Sequence, residues 1–362
     1  MPRVPAIGVV VTNHNNGAYV ERAIGSIARQ TLRDLHVVVV DDASTDQSDM
    51  TIRQCLADLD DPRFRYVRLE SNVGQTGAVR RGLAELDTPF VCFLDSDDIW
   101  YDDFVARQIA AHLNADFPVA LTYCDSHIID ADDRMLAGTA WWFDSAPGEW
   151  QTPVQRTIDS SLMPTMDPAT GELTYGRSGR LTFHSHWSQH GATNSMASMM
   201  FRRKFVDLVL VQPNHELKLY LDFYLSTLAC LLTGAIALHD CLYAYRMHGR
   251  NKHSNAEVLG GAYNSSTQSW EPVRKYVLGL VQGTLQSEAA TMRKAFGADR
   301  HALAETMLRD ALADQQGDRA NRPWNRLWEA ARAMVADLGS GRSPQWVEPE
   351  KADLRRSLTS TR

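Results

Sequence analysis

Four apolar runs in the first hundred residues each end abruptly in polar or acidic residues, and this punctuation constrains the fold more than any other feature. Ile7 to Val11 stops at Thr12-Asn13-His14-Asn15-Asn16-Gly17, and Val37 to Val40 stops at Asp41-Asp42-Ala43-Ser44-Thr45-Asp46. Tyr66-Val67-Arg68-Leu69 leads into Asn72-Val73-Gly74, and Phe90 to Leu94 into Asp95-Ser96-Asp97-Asp98. Short, continuously apolar runs of this kind read as strands buried on both faces. Between the first two, Val20, Ile24 and Ile27 recur at helical spacing, and a second helix is expected from about Gly77 to Leu86. Strands alternating with amphipathic helices imply a mainly parallel sheet covered on both sides. Ligands of open α/β sheets bind beyond the carboxyl ends of the strands. Thr12, Asp42 and Asp95 therefore converge on one rim from three separate segments.

Bulk properties narrow the partners. Of 362 residues, 44% are hydrophobic and 22% charged, enough for a large core. The formal net charge of −7 offers no basic field for nucleic acid. The five cysteines, Cys55, Cys92, Cys124, Cys230 and Cys241, are odd in number and show no CxxC spacing, which speaks for a reducing cytoplasm. The N-terminus enters a strand at once, so no signal peptide is expected. The longest apolar stretch, Leu225 to Leu238, falls short of the roughly 20 residues a spanning helix needs. Membrane association is expected to be peripheral at most, at the inner face.

Beyond the first sheet the pattern changes. Residues 139–191 hold Pro147, Pro153, Pro164 and Pro168 with several Gly and Trp, and read as a long loop or lid of the sort that carries specificity. A buried pattern resumes from Met196 to Val211, and Leu217 to Leu232 reads as a helix. From about Gln268 to Leu338 the pattern is helical and charged, and a polar tail follows.

Two clusters carry chemistry. In Asp95-Ser96-Asp97-Asp98, carboxylates two apart at a strand end suit a hard divalent cation, which would neutralise a departing diphosphate. An acidic strand-to-helix turn is the plainer alternative. A carboxylate at Asp42 suits a base N–H or a ribose hydroxyl, although Ser44 to Asp46 could make an Asx turn and helix cap there.

Taken together these pieces resemble the family 2 glycosyltransferases of GT-A fold. The matching segments are Val10-Val11-Thr12-Asn13-His14-Asn15-Asn16-Gly17-Ala18-Tyr19, Ser26-Ile27-Ala28-Arg29-Gln30-Thr31, and Val39-Val40-Asp41-Asp42-Ala43-Ser44-Thr45-Asp46. Asn72-Val73-Gly74 and Phe93-Leu94-Asp95-Ser96-Asp97-Asp98 follow in order, then Leu221-Asp222-Phe223-Tyr224-Leu225 and Leu242-Tyr243-Ala244-Tyr245-Arg246-Met247-His248. The resemblance implies that Thr12 and His14 surround the nucleotide base and that Asp42 reads it. His14 stands where the family often carries Tyr. Asp95 and Asp97 match the DxD motif, with Asp98 a further candidate for metal or ribose. Arg80 or Arg81 could face the diphosphate or simply line a solvated helix face. Asp222 matches the catalytic base, although Leu221 precedes it where the family often shows Glu. His248 matches a residue that reaches the diphosphate or the metal.

His184, His186 and His190 look like a second metal cluster, but no cysteine or carboxylate nearby completes a zinc site. Acceptor binding by Trp187 and His190, with Trp187 stacked on a sugar face, is the preferred reading.

The expectation is a GT-A-type α/β domain over residues 1–255, with a mixed, mainly parallel sheet, and a helical C-terminal extension with a polar tail over 256–362. It would be an inverting hexosyltransferase moving sugar from a nucleotide diphosphate donor, UDP-linked by preference, to a hydroxyl of a glycan or lipid-linked glycan in cell-envelope polysaccharide synthesis. Mg²⁺ or Mn²⁺ would be its cofactor, and a homo-oligomer is left open. The alternative is a sugar-nucleotide or glycan-binding protein that has kept the fold without turnover. A nicotinamide-dependent oxidoreductase needs a Gly-rich turn after the first strand, and Thr12 to Gly17 holds one glycine.

Overall fold

The computed structural model describes residues 3–138, 165–166, 168, 173–174, 176–184, 187, 195–210, 217–251, 254–258, 261–264 and 270–314. Its first half alternates as the apolar runs require: β1 (Ile7–Asn13), α1 (Val20–Ala28), β2 (Leu35–Asp41), α2 (Ser48–Leu59), β3 (Phe64–Arg68), α3 (Gly74–Leu83) and β4 (Phe90–Asp95). The two-residue β5 (Ile99–Trp100), α4 (Phe104–Asn114), β6 (Leu121–Ile129) and β7 (Met135–Ala137) follow. After the short pair β8 (Thr165–Met166) and β9 (Leu173–Thr174) come β10 (Leu181–His184), β11 (Met199–Arg202), α5 (Arg203–Val209), α6 (Leu221–Leu232) and β12 (Ala235–Arg246). A second short pair, β13 (Ser254–Val258) and β14 (Gly261–Asn264), precedes α7 (Trp270–Ser287), α8 (Ala289–Phe296) and α9 (Ala298–Asp314).

The main sheet runs in the order β10-β12-β6-β11-β4-β1-β2-β3. β4, β1, β2 and β3 are parallel neighbours, as are β6 and β12, and β11 joins these two sets antiparallel to both β4 and β6. The sheet is therefore mixed and mainly parallel, and the carboxyl ends of β1, β2, β4, β6 and β12 share one edge. Alternation along each strand feeds two cores. Val9 and Val11 of β1 and Val37 and Val39 of β2 enter one, against α1 and α4. Val10, Val38 and Val40 enter the other, against α3, α5 and α6. Each fully buried valine contributes about 1.5–3 kcal/mol. Gly82 lets α3 approach closely, because a Cβ there would run into the Val10 side chain.

The apolar stretch Leu225 to Leu238 divides into the end of α6 and the start of β12. Among the described residues, no helix is long and apolar enough to cross a membrane. Val277, Leu278, Val281, Leu285, Met292 and Leu308 of α7 to α9 lie in the same core cluster as α6, and the described residues up to Leu312 belong to one compact unit.

Candidate active site

The rim is organised from β2 outward. Ser44 Oγ donates to Asp41 Oδ1 at 2.5 Å, Ser44 N–H reaches Asp41 Oδ2 at 3.2 Å, and Asn13 Nδ2 donates to Asp41 Oδ1 at 2.7 Å. The fully buried Asp41 thus ties the turn together, and the Asx turn expected within Ser44 to Asp46 is made by Asp46, whose Oδ1 accepts Ser48 N–H at 2.9 Å. Asp42 is freed from that duty. Its Oδ1 accepts Val73 N–H at 2.7 Å and its Oδ2 accepts Gly74 N–H at 2.9 Å, amides at the start of α3 that no intrahelical carbonyl can satisfy. Each oxygen retains a second lone pair for a ligand donor. His14 is exposed beside it. Its Nδ1 lies 2.8 Å from the Asp42 carbonyl oxygen, and with the proton there Nε2 can accept from Asn72 Nδ2 at 3.2 Å.

At the end of β4, Asp95 Oδ1 accepts from Gln75 Nε2 at 2.9 Å and from Thr12 Oγ1 at 3.1 Å. Burial and the nearby Asp97 charge push the Asp95 carboxyl up to about 7, with Asp222 adding to the rise while the Gln75 and Thr12 hydrogen bonds oppose it. Asp222 stands in the first turn of α6, where its Oδ1 accepts Phe223 N–H at 2.8 Å. Burial pushes its carboxyl up to about 6, against the pull of that hydrogen bond. Two carboxyls from distant segments thus lie within electrostatic reach of each other on one rim.

The third part lies across the acidic turn. Asp97 Oδ2 lies 3.0 Å from His248 Nε2, and the His248 ring stacks on Tyr19 with centroids 5.0 Å apart. Asp97 remains 18% exposed at its side chain, open to the rim. Asp98 does not join this pair. It is 2% exposed, and its Oδ1 accepts the Arg246 backbone N–H at 2.9 Å, so its carboxylate fastens the turn to β12.

Among the described residues, no three His, Cys, Asp or Glu side chains close around a point as a ready-made metal cage. A nucleotide-associated Mg²⁺ or Mn²⁺ does not require one, since such ions take one or two protein ligands and complete their shell with phosphates and water. A partly exposed carboxylate 3.0 Å from an imidazole nitrogen fits that demand.

Other expectations fare differently. Arg80 Nη1 donates to the Leu210 carbonyl oxygen at 2.7 Å, and Arg81 pairs with Glu85 on the outer face of α3. Both guanidiniums sit about two helical turns beyond Gly74, at 1.5 Å per residue, and neither faces the rim. Trp187 does not offer a ring for sugar stacking: it is 9% exposed and packed in the larger core. His190 and His186 lie outside the described residues, and His184 is exposed in β10. Gln75, Tyr19 and Arg246 are site residues to which the sequence assigns no role by itself. Gln75 directly follows Asn72-Val73-Gly74, and Tyr19 and Arg246 stand inside two of the matching segments.

The model of the family described as glycosyl transferase family 2 matches residues 8–177. A glycosyltransferase of Nostoc sp. is 25% identical over 263 residues, which cover 73% of this chain and 71% of that protein. A succinoglycan biosynthesis protein of Rhizobium meliloti is 32% identical over 134 residues, 37% of this chain and 37% of that protein, so the match spans well under half of it. Among solved structures, a mannosyltransferase of Pyrobaculum calidifontis in complex with GDP-Man and Mn²⁺ aligns over 92% of this chain and 81% of its own, with 15% identity and a TM-score of 0.43. The family match runs through β1 to β9 and so takes in the punctuated strands that build the rim; over residues 8–177 the chain is similar to glycosyl transferase family 2.

Proposed function

We propose that this glycosyltransferase moves a hexose from a nucleotide diphosphate sugar, with UDP as the nucleotide, to a hydroxyl of a glycan or lipid-linked glycan with inversion at the anomeric carbon. The observation that carries this reading is the half-buried Asp222 in the first turn of α6, whose charge reaches Asp95 at the end of β4. In an inverting transfer the acceptor oxygen attacks the anomeric carbon as the bond to the diphosphate oxygen breaks on the opposite face. The acceptor proton then needs a base, and Asp222 takes it. A carboxyl raised to about 6 is ionised at neutral pH and more basic than an ordinary aspartate.

Asp42, His14 and Thr12 line the side of the rim assigned to the nucleoside, and Asp95 stands between nucleotide and reacting sugar. Asp97 and His248 would hold a divalent cation, Mg²⁺ or Mn²⁺, which supplies positive charge for the departing diphosphate. The domain assigned to this chemistry covers residues 1–255, and the helices after it complete its core. The relative in succinoglycan biosynthesis supports placing the reaction in envelope polysaccharide assembly. All five cysteines are free thiols, which supports a reducing, cytoplasmic setting with peripheral membrane contact at most.

The test is a panel of UDP-, GDP- and dTDP-sugars incubated with the protein, with and without Mn²⁺, with release of free nucleotide diphosphate as the readout. The reading expects slow, Mn²⁺-dependent UDP release that an acceptor glycan accelerates. Binding of UDP-sugars with no release under any condition would favour a binding protein over an enzyme.

A further inference from the structure

Arg246, the last residue of β12, has a side chain that is fully buried beneath the acidic turn. Nε donates to the Asp97 carbonyl oxygen at 2.7 Å, and Nη1 donates to the Asp130 and Ala131 carbonyl oxygens at 2.9 and 3.3 Å. Nη2 pairs with Asp133 at 2.5 Å, and Cζ lies 4.9 Å from the centroid of the Tyr19 ring. That ring stacks on His248. The backbone of Arg246 contributes too: its N–H holds Asp98 Oδ1, and its carbonyl oxygen accepts from Asn251 Nδ2 at 2.7 Å. Asn251 Oδ1 in turn accepts the His248 N–H at 2.9 Å.

The Arg246 side chain is therefore bonded to the peptide of Asp97 and, through Tyr19, reaches the ring of His248, while the Arg246 backbone reaches the His248 backbone through Asn251. We propose that Arg246 is a positioning residue that sets Asp97 and His248 at the separation a divalent cation requires; this rests on the cation site proposed above. The planar fork is what allows it. Three donors in one plane reach three carbonyl oxygens on two chain segments while the face of the guanidinium lies against Tyr19. Lysine carries the same charge as a single point and cannot span those acceptors. The positive charge also offsets the crowd of Asp97, Asp98 and Asp133 around it, so the turn tolerates its acidic residues before any ligand arrives.

The test compares wild type with Arg246→Lys and Tyr19→Leu, following bound Mn²⁺ by electron paramagnetic resonance in the presence of UDP. Thermal unfolding of each protein establishes that it is folded at the assay temperature. Groups that orient metal ligands typically change metal affinity about 10- to 100-fold when lost. Both variants should bind Mn²⁺ at least about 10-fold more weakly while remaining folded, and the Mn²⁺ concentration for half-maximal turnover should rise in step. A wild type that binds UDP with no Mn²⁺ dependence overturns the cation site itself. A wild type that does bind Mn²⁺, with folded variants of equal affinity, overturns the role of Arg246 alone. If Arg246→Lys does not fold, Tyr19→Leu decides, because it removes the ring between the guanidinium and His248 without burying a new charge.

Discussion

Gly74 and Lys218 meet backbone to backbone: a Cβ at position 74 would lie 2.9 Å from the Lys218 carbonyl oxygen, and the Gly74 φ is +78°. The same carbonyl accepts Thr76 N–H at 3.4 Å. The contact joins the start of α3, whose amides Asp42 holds, to the segment that enters α6 through Tyr220, itself at φ 67°. Asp222 is two residues further on. Gly74→Ala should cost about 1–3 kcal/mol, from a left-handed backbone that alanine disfavours and from the clash with Lys218. Urea denaturation measures the stability, and turnover at a temperature where the variant is folded should fall as Asp222 is displaced. Unchanged stability would show that the two segments are not locked together.

A second prediction concerns Asp97. Asp97→Ala removes the carboxylate facing His248 but leaves the Asp97 carbonyl that Arg246 holds. The fold should survive, and the Mn²⁺ dependence of UDP binding should disappear. Calorimetry with and without Mn²⁺ checks it; an undiminished metal effect in this variant would place the cation elsewhere.

The third prediction separates two duties of Asp42. Its carboxylate satisfies two amides at the start of α3, so Asp42→Ala should lower stability as well as affinity. At a temperature where both proteins are folded, UDP binding should weaken by roughly 1–3 kcal/mol, the scale of a lost hydrogen bond to a charged group. The preference for UDP over GDP should narrow. If stability falls but that preference stays as in wild type, Asp42 is a cap for α3 and the base is read by other groups.

How far the sequence carried these expectations depended on the range of the interaction. Strands such as Val37 to Val40 announce themselves, because burial on both faces leaves a continuous apolar run, and the rim followed from where those runs stop. The antiparallel β11 between β4 and β6 carries no such mark, since its pairing is decided by partners more than 70 residues away in sequence. Asp41 and Asp42 show the same limit within one motif. Both are acidic and adjacent, yet one folds back on Ser44 and the other reaches across to Val73 and Gly74. Side-chain direction was equally hidden at Arg80, whose charge suggested a phosphate while its geometry delivers it to the Leu210 carbonyl. Trp187 likewise reads as a sugar platform by composition and proves to be core.

The last prediction concerns Asp222. Asp222→Asn keeps size and polarity but cannot accept the acceptor's proton, so turnover should fall about 10²-fold or more while donor affinity stays near wild type. The pH dependence adds two signatures. A base must be ionised, so wild-type kcat/KM should decline as pH falls through about 6, and the residual rate of Asp222→Asn should lack that limb. Stability runs the other way. Burial raises the folded-state pKa above the ordinary 3.8, so this group's favourable contribution is complete below pH 3.8 and is lost as pH rises through about 6. Asp222→Asn, which carries no charge to bury, should therefore be more stable than wild type at pH 8, with the difference closing toward pH 4. Donor titration, single-turnover transfer and thermal unfolding on one preparation read all three. A variant that is stabilised at pH 8 yet turns over like wild type would leave Asp222 a half-buried carboxylate with no part in the chemistry.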